Sequence, residues 1–110
     1  MNIDDLTAWG ADTQDGLRRC MGNEGLYLRL VGTIKDDAGF EALSSAIGDG
    51  RLDDAFEAAH GLKGSLGNLA LTPLYSPICE ITEHLRSRTE MDYAPLLETI
   101  FEQKEKLAAL

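Results

Sequence analysis

The sequence predicts a single all-α domain, and two features of its patterning together with its length carry that prediction. Apolar residues recur at three- and four-residue spacing along most of the chain. Strand signals are nearly absent: there is no alternating apolar-polar run, few β-branched clusters and no Asn-Gly hairpin turn. The 110 residues fit one domain, expected to span 1–110. The expected architecture is an antiparallel up-down-up-down four-helix bundle with an additional short N-terminal helix lying across one end.

Taken in order, Ile3 to Cys20 reads as one short helix or two broken ones. Leu6, Trp9 and Leu17 give it apolar contacts, and Gly10 and Gly16 weaken it. Met21-Gly22-Asn23 breaks the pattern, and Asn23 can cap the next helix. From Glu24 to Ile47 the positions Tyr27, Leu30, Val31, Ile34, Ala38, Leu43 and Ile47 predict one amphipathic helix. Gly48-Asp49-Gly50 is a turn, with Gly48 suited to a helix C-terminus. Another helix runs from Leu52 to Leu71 on a stripe of Leu52, Ala55, Phe56, Ala59, Leu62, Leu66 and Leu69. Thr72-Pro73 and Ser76-Pro77 each pair a capping hydroxyl with a proline, so either can start the fourth helix. Ile78, Ile81 and Leu85 carry its apolar face to Arg86-Ser87-Arg88. The last helix begins near Asp92, tolerates Pro95 in its first turn, and buries Leu96, Leu97, Ile100, Phe101 and Leu107.

Composition narrows the function. With 44% hydrophobic and 26% charged residues the chain belongs among globular proteins. A domain this small buries about two-thirds of its unfolded surface, enough for one core and too little for a deep substrate cavity as well. The net charge of -9 repels phosphate backbones and anionic membranes, which argues against nucleic-acid or membrane binding. Two distant cysteines, Cys20 and Cys79, read as free thiols in a reducing cytosol. The N-terminus has no basic stretch followed by an apolar run, so a cytoplasmic protein is expected.

The informative stretch is Ala59-His60-Gly61-Leu62-Lys63-Gly64-Ser65-Leu66-Gly67-Asn68-Leu69. Three glycines interrupt a strongly patterned helix, each costing about 0.5–1 kcal/mol against alanine. At 3.6 residues per turn, His60, Gly64 and Gly67 share one face, about 100° from the buried Ala59 direction. The imidazole would then stand over a depression free of side chains. Lys63, at i+3, is within reach of a negative group on the ring. Glu57, at i−3, could hold the other ring nitrogen, and Asn68 could face the same surface.

These residues resemble the signature of the histidine-containing phosphotransfer (HPt) domains of two-component phosphorelays. Ala59, His60, Leu62, Lys63, Gly64 and Ser65 match its order, and the likeness covers roughly Asn23 to Leu110. The resemblance implies a four-helix bundle in which His60 takes a phosphoryl group from a receiver aspartate and passes it to another. Lys63 would support the phosphoryl group, and Gly64, with Gly61, Gly67 and Asn68, would meet the receiver. The receiver domain of a response regulator or hybrid kinase would be the partner and would bring Mg²⁺. The chain itself would need no cofactor and act as a phosphocarrier without being an enzyme. Apart from the resemblance, the glycine-lined exposed face argues for a monomer. Two positions depart from the family's pattern: Leu66 is often alanine there, and Ala70 is often glycine. Both stay apolar, so repacking without loss of activity is expected.

Two other readings compete. Glu57-Ala58-Ala59-His60 matches one Glu-x-x-His element of a di-iron bundle, but Ile81 stands three before the only other histidine, His84, so the second element is missing. A non-catalytic adaptor, or a degenerate HPt domain that binds a receiver without transfer, explains the apolar stripe but not three glycines around a histidine.

Overall fold

A computed structural model describes residues 1–110. The chain folds into seven α-helices and no strand: α1 (Ile3–Trp9), α2 (Thr13–Arg19), α3 (Glu24–Gly32), α4 (Gly39–Gly48), α5 (Leu52–Asn68), α6 (Thr72–Arg86) and α7 (Ala94–Ala108). A 3-10 turn, Ile34–Asp36, links α3 to α4.

The four C-terminal helices make the bundle. Helix α5 packs against α4 on one side and α6 on the other, and α6 leads on to α7. Phe40 of α4 meets Phe101 of α7 edge-on, with ring centroids 6.3 Å apart. Lys104 lays its ammonium over both rings, 5.3 and 5.7 Å from their centroids. Phe40, Leu43, Leu62, Leu66, Ile78, Ile81 and Ile100 form a continuous core that no solvent reaches to any extent. Each such side chain contributes about 1.5–3 kcal/mol by leaving water.

The N-terminal helices are bolted onto the α5–α6 turn. Asn2, Asp12 and Asn23 cap α1, α2 and α3, each accepting from a backbone N–H three residues on. Tyr27 of α3 donates its hydroxyl to the Leu69 carbonyl at 2.8 Å. The Asp12 N–H donates to the Ala70 carbonyl at 3.0 Å. Gly16 of α2 lies under the Tyr27 ring, which a methyl group there would strike. Trp9 is half-buried, and its Nε1 donates to Gln103 of α7 at 3.0 Å.

Some boundaries take one of the forms the sequence allows, and others differ. The first segment is two helices, broken at Gly10, whose φ of 120° is open to glycine. The single helix expected from Glu24 to Ile47 is interrupted: Asp37 turns extended, at φ −67° and ψ 123°, and its carboxylate accepts from the Gly39 N–H at 2.7 Å. The apolar period survives the break because Ile34 remains buried in the 3-10 turn. Helix α5 stops at Asn68 instead of Leu71, closed by a Schellman pairing in which Leu71 N–H donates to Leu66 O and Ala70 N–H to Gly67 O. Ala70 sits in the left-handed region at φ 55°. Helix α6 starts at Thr72, which is its first residue and no cap, and Pro77 is buried inside it. Helix α7 starts at Ala94, where Asp92 accepts from the Ala94 N–H at 3.0 Å, and carries Pro95 in its first turn.

Candidate functional site

His60 stands on the solvent face of α5, one residue past the fully buried Ala59. No carboxylate bonds its ring. The imidazole instead stacks on Phe56, one turn earlier, at 5.7 Å between centroids and 18° between planes. The Arg86 guanidinium covers Phe56 at 4.9 Å from its centroid. Glu57 is exposed and makes neither a hydrogen bond nor an ion pair with His60. Phe56, and not Glu57, is the side chain against the ring, and stacking leaves both ring nitrogens without a side-chain partner. Its i−4 placement is the signal that could have found it.

Lys63 is half-buried and lines the same surface as His60, and its ammonium takes part in none of the seven ion pairs. The three glycines divide in two. A Cβ at Gly61 or Gly64 would meet nothing within 4 Å, so neither is small for packing. A Cβ at Gly67 would lie 2.9 Å from the Tyr75 ring of α6, so Gly67 is small to accommodate a neighbouring side chain, although it stays half-exposed. Asn68 is exposed at the rim.

His60, Lys63, Gly64, Gly67 and Asn68 line one shallow depression of about 510 Å³. Its far wall comes from outside α5. Tyr75 and Thr72 arrive from α6, and Asp12, Asp15 and Arg19 from the start and body of α2. Nothing local in the sequence joins α2 to this face; it is brought there by the Tyr27–Leu69 and Asp12–Ala70 bonds. Asp15 accepts from Arg18 at 2.7 Å and from Arg19 at 3.1 Å. Those bonds, Arg19's above all, hold its carboxyl below the usual carboxylate range. The Cys79 thiol beside Tyr75 pushes its hydroxyl up, and the nearby Arg19 partly opposes this. No three His, Cys, Asp or Glu side chains converge anywhere in the chain, and no helix is long and apolar enough to cross a membrane.

An exposed, unbonded imidazole beside a free ammonium and bare backbone has the makings of a phosphoryl carrier that works against another protein's surface. The profile of the Hpt domain family matches residues 34–110, more than half of the chain, and the chain belongs to that family. The match begins at the 3-10 turn, so α1, α2 and α3 lie outside it, and it starts later than the Asn23 suggested by the motif. Hpt domains serve phosphotransfer in two-component signalling, where they meet receiver domains as phosphocarrier modules. No curated protein and no solved structure matches the chain at significance.

Proposed function

We propose that His60 is the phosphoryl acceptor of a phosphorelay intermediate. An unprotonated ring nitrogen attacks the phosphorus of an aspartyl phosphate on a receiver domain. The N–P bond forms as the P–O bond to the aspartate breaks, and the carboxylate leaves with its electron pair. The reverse step delivers the group to a second receiver aspartate. Positioning and charge neutralisation do the work, and Mg²⁺ on the receiver supplies most of the neutralisation. The chain brings the nucleophile, with Lys63 as counter-charge, and no catalytic apparatus or cofactor of its own.

The observation that carries this reading is the pair of open glycines. Gly61 and Gly64 flank His60 with no neighbour over them, which leaves room for a convex imidazole to enter a receiver's active site. Packing of α5 against α4 and α6, and of α6 against α7, supports an up-down-up-down order for α4 to α7. Two free thiols, Cys20 and Cys79, fit a reducing cytoplasm.

The test is transfer from a radiolabelled, phosphorylated receiver domain to the wild type and to His60→Gln. Acid-labile, base-stable label on the wild type alone is the expected result. Label persisting on His60→Gln refutes the choice of residue. Tight receiver binding without any label on the wild type would make the protein an adaptor.

A further inference from the structure

The depression at His60 carries two cationic side chains, and only one belongs to the family motif. Lys63 comes from α5, and Arg19 comes from α2, outside the residues that match the family. Cations are scarce on this protein: 10 lysines and arginines stand against 19 acidic residues. Arg19 is held in place without being used up. Only its Nε is engaged, by Asp15 at 3.1 Å, while a guanidinium has five N–H donors. Both terminal nitrogens stay free. Asp15 is itself neutralised twice, since Arg18 bonds its other oxygen at 2.7 Å, so it does not cancel Arg19 alone. Asp12, the other carboxylate on that wall, accepts from the Asp15 N–H at 3.2 Å as the α2 cap. Arg18 does not line the depression, although it shares the same acidic partner.

We infer that Arg19 is a second cationic ligand of the phosphoryl group on His60, supplied by the N-terminal helix pair and aimed by Asp15. This rests on His60 being the acceptor. A phosphoryl group adds about 1.5 to 2 negative charges at neutral pH and three strong acceptor oxygens. Arg19 meets them with planar, paired N–H donors where Lys63 offers a point charge. Phosphorylation would thereby be read by α2 as well as by α5, and the free and charged carriers would differ at a wall that a docking receiver has to pass.

The test needs no receiver. Phosphoramidate is used to phosphorylate the intact protein: the imidazole nitrogen forms the N–P bond, the donor's P–N bond breaks, and the nitrogen leaves as ammonia. The ³¹P resonance that is absent from His60→Gln, and so is distinct from any on His84, is then titrated with pH in the wild type, Arg19→Gln, Arg19→Lys and Arg18→Gln. A neighbouring cation favours the dianion and lowers the midpoint, so Arg19→Gln should raise it by about half a unit. Arg19→Lys should recover part of the shift, and Arg18→Gln should leave it unchanged. An Arg19→Gln midpoint equal to the wild type overturns the inference, including the case where transfer to a receiver slows, because Arg19 would then serve the receiver and not the phosphoryl group. A wild type that forms no phosphohistidine at His60 refutes His60 as acceptor, and the inference falls with it.

Discussion

Replacing the α5 glycines one at a time should separate a glycine kept open for a partner from one kept small for packing. At Gly64 a Cβ meets nothing within 4 Å. Alanine there gains the full helical preference of about 0.5–1 kcal/mol. For a domain of this size that raises the melting temperature by about 2–6 °C. At Gly67 the same methyl lies 2.9 Å from the Tyr75 ring, against an ordinary separation of about 3.5–4.0 Å. The ring must shift, at about 1–3 kcal/mol, so Gly67→Ala should end near 1 kcal/mol less stable. Gly64→Arg should keep the helical spectrum near normal, because its stem also enters open space, and yet block transfer from a phosphorylated receiver. The assay pairs thermal melts with transfer rates for the three variants. If Gly64→Ala destabilises the protein, or Gly64→Arg transfers like the wild type, the open-glycine reasoning is wrong.

Two further predictions concern the turn that ends α5. Ala70→Gly should stabilise the fold by about 1 kcal/mol in urea unfolding, because Ala70 sits at φ 55°, where a Cβ is strained; no gain would mean that the Schellman pairing does not strain it. Burial, with smaller help from Cys20, Asp12 and Asp15, pushes the Tyr27 hydroxyl up to about 12, above its ordinary 10.0. The fold thus favours the protonated hydroxyl, which donates to Leu69. Its contribution is complete below about pH 10 and is lost as pH rises through about 12. Stability measured across that window should fall, and Tyr27→Phe should flatten the fall while costing about 1–2 kcal/mol at neutral pH. A Tyr27→Phe curve parallel to the wild type would remove Tyr27 as the cause.

How much the sequence reveals depends on the range of the interactions involved. Within α5 the 3.6-residue period alone sets His60, Lys63 and Gly64 beside one another and turns Ala59 and Leu62 inward, since a helix relates residues three and four apart whatever surrounds it. The same rule applied at i−4 reaches Phe56, which stacks on the imidazole. The interruption at Asp37 is hidden for the opposite reason: Ile34 keeps the apolar phase, and the break rests on one side-chain-to-backbone bond. Ala70 conceals a helix end because the left-handed position there is taken without glycine. Gly64 and Gly67 look alike in sequence, and only Tyr75, arriving from the next helix, tells them apart.

The α2 wall is the extreme case. Tyr27 and the Leu69 carbonyl it bonds are 42 residues apart, a pairing that leaves no periodic trace in either segment. Yet the bond helps to set which side chains line the depression beside His60. It clamps α3 to the end of the helix that carries the histidine, and the Asp12–Ala70 bond sets the start of α2 against the next residue of the same turn. Both hold backbone carbonyls of a turn whose geometry is already fixed by the Schellman pairing. Arg19 is therefore presented from a short, doubly anchored helix and not from a loose tail, and Gly16 is buried because the Tyr27 ring that makes the anchor occupies the space over it. Enlarging Gly16 should for that reason disturb the depression at His60 without touching α5 at all.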